Sequence, residues 1–305
     1  MRRTIQTIGT ALLFLIVALC LATVCVPPFL DRVYYHGPRS NHFDGARFFN
    51  PGREIAGGAR LRARMIGFLL GKDRPVWPAS VPVTPGYPPA AARACPPAKA
   101  MVSVRWGRCV PRVAPDGLWV TWIGHATALV QTQGLAILTD PVWSDRTGPF
   151  QLGPKRVRAP GIGFKDLPKI DVVLLSHDHY DHLDLPTLKK LWARDHPLIV
   201  TSLGNDAILR ANGIGSVARD WGGHVAVRPG IDVIVERVHH WGTRWNTDRN
   251  RALWSGFTVS LPGGNLFYAG DTGWGDGSWT TAARRGPVRL AILPIGAFKP
   301  RELME

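Results

Sequence analysis

An apolar run, Ile170-Asp171-Val172-Val173-Leu174-Leu175, leads directly into Ser176-His177-Asp178-His179-Tyr180-Asp181-His182, and this junction constrains the chain more than any other segment. The run is short, partly β-branched and preceded by Pro168, so it reads as a strand buried on both faces. Three imidazoles and two carboxylates then fall between His177 and His182. Imidazole nitrogen and carboxylate oxygen are the ligands that a borderline-soft divalent ion such as zinc accepts. His177 and His179, two positions apart, put both rings on one side of an extended loop. Asp181 and His182 are adjacent, point apart and can serve a second ion. The competing reading, a solvated polar turn rich in histidine, is weakened by the buried-strand context. Further on, Asp184 can cap a helix with Pro186 in its first turn and Leu188, Leu191 and Trp192 at helical spacing. The ligands therefore sit between a strand's carboxyl end and a helix, where α/β folds collect their chemistry.

The stretch resembles the His-x-His-x-Asp-His signature of the metallo-β-lactamase superfamily. Six further segments narrow the likeness: Asn41-His42-Phe43-Asp44-Gly45, Trp122-Ile123-Gly124-His125-Ala126-Thr127, Leu138-Thr139-Asp140-Pro141-Val142-Trp143, Gly153-Pro154-Lys155-Arg156-Val157, Ala269-Gly270-Asp271-Thr272-Gly273 and Pro294-Ile295-Gly296-Ala297-Phe298. They are similar to bacterial relatives of N-acyl-phosphatidylethanolamine-hydrolysing phospholipase D. The resemblance implies a four-layered αββα sandwich with its C-terminal part incomplete. It implies one zinc held by His177, His179 and His240, a second by Asp181 and His182, and Asp271 bridging the two, so that Asp181 and Asp271 carry the catalytic centre.

The residues themselves support parts of this set. His239 and His240 follow an alternating run from Ile231 to Val238; the resemblance places the ligand at His240 and turns His239 away. Asp271 ends the apolar strand Leu266-Phe267-Tyr268-Ala269, with Gly270 and Gly273 allowing a sharp turn. His125 follows Gly124 after the apolar run Leu118 to Ile123; a hydrogen bond to a ligand or substrate and a packed, satisfied histidine both remain open, and it is not counted as a ligand. Asp178 is expected to orient a histidine or move a proton. The superfamily completes its second metal with a further histidine, yet none follows His240 before Glu305. A fragment is the expectation and an incomplete second site the alternative; either way the second zinc should bind more weakly.

The chain divides by composition into residues 1–30, 31–100 and 101–305. Met1-Arg2-Arg3 precedes an uncharged apolar stretch from Ile8 to Val26, close to the roughly 20 residues of a spanning helix. An N-terminal transmembrane helix is expected; a cleaved signal peptide is the alternative, without a clean small-residue cleavage site. Arg2 and Arg3 slightly favour an extracytoplasmic domain on a bacterial inner membrane, but arginines from Arg32 to Arg64 weaken the bias. Residues 31–100 read as a basic, Pro-rich arm: Arg60 to Leu70 mixes arginine with apolar residues as interfacial helices do, and the prolines of 73–100 support neither helix nor central strand. Cys95 and Cys109 could pair after export. From Trp119 onward short apolar strands alternate with turns, with hairpin signals at Gly134 and Gly263-Gly264.

A net charge of +15 attracts anions. With an anchor expected, membrane phospholipid is the favoured partner, and nucleic acid is disfavoured because glycine-aromatic interleaving is absent. Two ions a few ångströms apart would bring the pKa of water to about 7 for attack on a phosphodiester. The expected function is thus a zinc-dependent phospholipase-D-type phosphodiesterase acting on N-acyl-phosphatidylethanolamine or a similar lipid. A zinc hydrolase of another ester or lactone, and an inactive metal-binding remnant, are the alternatives.

Overall fold

In the computed structural model, residues 2–52, 104–105, 108–109, 117–245 and 247–296 are described. The Arg60–Leu70 segment, the Pro-rich stretch 73–100, the Cys95–Cys109 pairing, and Ala297 and Phe298 lie outside them. A minimal hairpin pairs β1 (Val104–Arg105) with β2 (Arg108–Cys109). The apolar run before the histidines forms β6 (Val172–Leu175), buried along its whole length. Val172 and Leu174 face the second sheet, while Val173 and Leu175 face the helical layer. A strand covered on both sides has no need of polar alternation, which is why the run is almost continuously apolar.

Around β6 the first sheet takes the order β3 (Leu118–Gly124), β4 (Thr127–Thr132), β5 (Leu135–Thr139), β6, β7 (Leu198–Ser202) and β8 (Val217–Arg219). β3 to β5 pair antiparallel and β5 to β8 parallel. The β4–β5 turn uses Gln133 and Gly134 at φ 52° and 69°, the positive values that match a tight turn to strand twist. The second sheet orders β13 (Val288–Ile292), β12 (Asn265–Tyr268), β11 (Gly256–Val259), β10 (Ile231–Glu236) and β9 (His224–Arg228). Only its β12–β13 pair is parallel. Val130, Ile137, Val172 and Leu174 meet Val233, Val235, Phe257 and Leu266 in the dry layer between the sheets.

The outer face of the first sheet is covered by α2 (Leu185–Asp195) through Leu188 and Leu191, and by α3 (Asn205–Arg210) through Ile208 and Leu209. Asp184 stands at the N-cap of α2 with proline in the first turn, as its sequence implies, but its carboxylate makes no cap bond. It accepts instead from Ser144 N at 3.0 Å and Thr187 Oγ1 at 2.6 Å, fastening the segment after β5 to the helix. On the second sheet, Phe267 and Ala269 pack against Trp279 and Ala282 of the 3-10 segment Ser278–Arg285. The described residues form a mixed α/β sandwich with helices on one outer face and this segment on the other.

Before the sandwich, α1 (Arg2–Leu30) occupies the apolar stretch, with Ile8, Leu12, Phe14 and Leu19 exposed along it. Among the described residues, no helix is long and apolar enough to cross a membrane. The transmembrane helix expected from hydropathy is therefore not supported.

Residues 31–52 lie as a strap along the sandwich. Phe43 and Phe48 are buried with Val238, Leu253 and Trp254, and Phe48 N donates to Asn250 O at 2.8 Å. Asn50 Nδ2 donates to His240 O at 2.9 Å while its Oδ1 accepts from Trp254 Nε1 at 3.1 Å. Asp31 receives Arg251 at 2.8 Å and Arg47 at 3.2 Å. Truncating a buried phenylalanine costs about 3–5 kcal/mol, so Phe48→Ala should lower the unfolding free energy in urea by that amount; an unchanged midpoint would mean the strap contributes no packing.

Candidate metal centre

Strand ends deliver the chemistry. The loop after β6 carries His177 to His182, the segment after β10 carries His240, the turn after β12 carries Asp271, and the β3–β4 turn carries His125. All meet at one end of the sandwich. Gly270 makes the last approach possible: its φ is 61°, and a Cβ there would lie 2.7 Å from that of Ser176.

His177, His179 and His240 bring one ligand nitrogen each within 4.8 Å of the others. His179 Nδ1 lies 2.8 Å from His177 Nε2 and 3.3 Å from His240 Nε2. Three lone pairs converging so closely cannot all be satisfied by N–H donors, since any proton serves only one contact. A tetrahedral ion with bonds of about 2.0–2.1 Å sets its donors about 3.3 Å apart, so one cation answers all three. Burial, with the neighbouring rings adding to it, holds His177 well below the usual imidazole range. Burial first brings His179 down to about 4 and His240 to about 3, despite nearby carboxylates. Neutral rings are what a metal requires.

Beside them, Asp181, His182 and Asp271 form a second cluster. His182 Nε2 is buried without a hydrogen-bond partner and lies 3.3 Å from Asp271 Oδ2, which is 3.8 Å from His240 Nε2. Asp271 thus stands between the two groups. The same carboxylate sets the charge balance: burial would lower His182, but Asp271 and Asp140 outweigh it and raise the ring well above its ordinary value. Burial would raise Asp181 and Asp271; the surrounding histidines overcome it and hold both well below the carboxylate range. The chemistry of these donors fits one divalent ion at each cluster.

Asp140, at the end of β5 and unmarked as a site residue by its sequence, anchors the centre. Fully buried, it accepts from His182 Nδ1 at 2.6 Å, from Ser176 N at 2.7 Å and Oγ at 2.5 Å, and from Tyr268 OH. Ser176 Oγ in turn lies 2.8 Å from His177 Nδ1. The network assigns protons to both Nδ1 atoms, leaving Nε2 of His177 and His182 free to bind. A charged residue at the carboxyl end of a buried strand was the available signal.

Three other residues also have definite places. His239 turns away, its N accepted by Thr272 Oγ1 at 3.0 Å and its ring against Gly275. Asp178 is fully buried, with its carboxyl against Gly242. Burial, then the charge of Asp248, pushes it up to about 7. His125 Nε2 lies 3.0 Å from Asp181 Oδ2. Arg244, unmarked in the sequence, braces the loop by donating to Asp178 O at 2.9 Å and Leu183 O at 3.0 Å. An open cleft of ≈ 400 Å³ adjoins the centre, lined among others by Pro149, His179, Asp181, Arg244 and Trp245.

The fold and this paired cluster define a metallo-hydrolase class. The model of the beta-lactamase superfamily domain matches residues 136–305, and the chain belongs to the metallo-β-lactamase superfamily. It is related to N-acyl-phosphatidylethanolamine-hydrolysing phospholipase D. It is 38% identical over 203 residues, 62% of this chain and 57% of the relative, to N-acyl-phosphatidylethanolamine-hydrolyzing phospholipase D 1 of Caenorhabditis elegans. It is 33% identical to the mitochondrial enzyme of that name from Saccharomyces cerevisiae, over 59% of this chain and 40% of that one. The chain thus spans about half the length of these curated relatives. Among solved structures, a possible metal-dependent hydrolase from Veillonella parvula is similar with a TM-score of 0.45 and 17% identity, covering 55% of this chain and 68% of that one.

Two outcomes follow. Losing the group that holds a ligand imidazole costs about 10–100-fold in metal affinity, so Asp140→Asn should weaken one of two metal-binding steps by that factor, read by titration calorimetry. Protons compete with metal below each ligand's own pKa. Acidification should therefore strip the ion at raised His182 first and the ion at His179 and His240 only in more acidic solution, seen as two separate releases in a pH titration of metal-loaded protein.

Proposed function

We propose that this chain is a zinc-dependent phosphodiesterase of the phospholipase D type, cleaving N-acyl-phosphatidylethanolamine or a similar phospholipid at the bond between phosphorus and the leaving alkoxide. The observation that carries the reading is Asp271 standing between a three-histidine cluster and the Asp181–His182 pair. His177, His179 and His240 would hold one ion, Asp181 and His182 another, with Asp271 contacting both. When bound, two such ions lower the pKa of water towards 7 and neutralise charge building on phosphoryl oxygens.

The chain's own residues supply the rest. Asp140 keeps His182 in the tautomer that frees Nε2, and Ser176 does the same for His177. Arg244 holds the loop from behind, its Nη1 donating to two of the loop's carbonyls. Trp245 brings the cleft an aromatic wall, with the Phe150 ring 5.9 Å from its own. Phe150 and Leu152, each 81% exposed, stand on this side as apolar residues offered to solvent, which supports a lipid substrate met at a lipid surface. The exposed apolar side chains of α1 and the net charge of +15 point to the same anionic surface.

Purified full-length chain loaded with zinc should release N-acylethanolamine from N-acyl-phosphatidylethanolamine in mixed micelles. His177→Ala should abolish release, with far-UV circular dichroism unchanged. Hydrolysis of water-soluble esters or lactones without any release from the lipid would overturn the substrate assignment and leave a hydrolase of another ester.

A further inference from the structure

The β3–β4 turn carries an expense that the hydrogen-bonding scheme so far leaves unexplained. His125 sits at φ 50°, beside Gly124 at φ 149°, where a non-glycine residue is uncommon and strained. The strained residue is fixed: Trp122 Nε1 donates to His125 O at 2.8 Å, and Arg158 stacks 4.5 Å from that indole's centre. The conformation carries the ring to the Asp181–His182 pair. His125 Nε2 lies 3.0 Å from Asp181 Oδ2, and its ring meets that of His182 edge-on at 5.0 Å. One ligand atom from each of His125, Asp181 and His182 falls within 4.8 Å of the others, the same closeness as the three-histidine cluster. Nε2 of His182 is meanwhile buried with no hydrogen-bond partner.

From this geometry we propose that His125 is a metal ligand, giving Nε2 to the ion held by Asp181 and His182. The assignment rests on the two-ion reading above and deepens it. The 3.0 Å separation from Asp181 is close to the edge of a coordination tetrahedron, about 3.3 Å. Two nitrogens and one carboxylate oxygen then hold this ion, with Asp271 as the shared fourth. The competing role is that of a positioning residue, an N–H donor that merely orients Asp181.

Cobalt(II) alone, titrated into metal-stripped full-length chain, separates the roles. Wild-type chain should take two cobalt ions, with visible absorption rising in two steps. His125→Ala should keep the first step and weaken the second by more than the roughly 100-fold that bounds loss of an outer hydrogen-bond partner. His125→Gln retains an N–H donor and should not restore it. Restoration by glutamine, or an unchanged second step in the alanine variant, overturns the ligand role. A wild-type chain that binds only one cobalt overturns the two-ion reading itself and this assignment with it. Should both variants misfold, cadmium NMR on wild-type chain with nitrogen-labelled histidines decides: the ion at Asp181 should couple to ring nitrogens of two histidines, and coupling to one alone overturns the proposal.

Discussion

Imidazole lone pairs crowded together in a desolvated pocket repel one another unless something positive sits among them, and this requirement organises the molecule. His177, His179 and His240 place their nitrogens 2.8–3.3 Å apart while burial keeps the rings neutral. An apolar core would gain nothing from such an arrangement, because buried polar atoms without partners are costly. The cost is tolerated because the scaffold is over-determined around it. β6 is sealed on both faces, Asp140 fixes the His182 tautomer and Ser176 that of His177, and Asp184 ties the segment after β5 to α2.

The two sheets contribute unequally. The first supplies a contiguous ligand loop whose geometry is set locally, by β6 and the turn before α2. The second supplies single residues, His240 and Asp271, whose positions depend on the packing of Val233, Val235, Phe257 and Leu266 against β4 to β7. An ion at this end therefore joins the sheets as well as the residues. Metal bound to the native state but not to the unfolded chain stabilises the fold by mass action.

Much of this was legible beforehand. The short, partly β-branched apolar run reads as a doubly covered strand and is one, and His177, His179, Asp181, His182, His240 and Asp271 come together at its end. Both hairpins fall at the glycines that mark them. Asp140 was not legible as an anchor, because it meets His182 across 42 residues and only after β5 pairs with β6. His125 faced the same difficulty, its reach depending on a positive φ that composition does not signal. Phe43 and Phe48 read as part of a basic arm, since two aromatic residues among arginines carry no periodicity; the partners that bury them, Leu253 and Trp254, lie far along the chain. Hydropathy alone marked α1 as a membrane crossing, which the described helix does not support.

The strap has a temporal meaning during synthesis. Asn50 is made 190 residues before His240 and 204 before Trp254, its two partners. Until then Phe43 and Phe48 have no pocket, and the carbonyl that steadies His240 has no donor. Contacts so distant in sequence close slowly, after the entropy of a long loop has been overcome. The strap is therefore among the last parts to find its place, and Asn50 reaches the His240 carbonyl only after the segments carrying His240 and Trp254 have both been made.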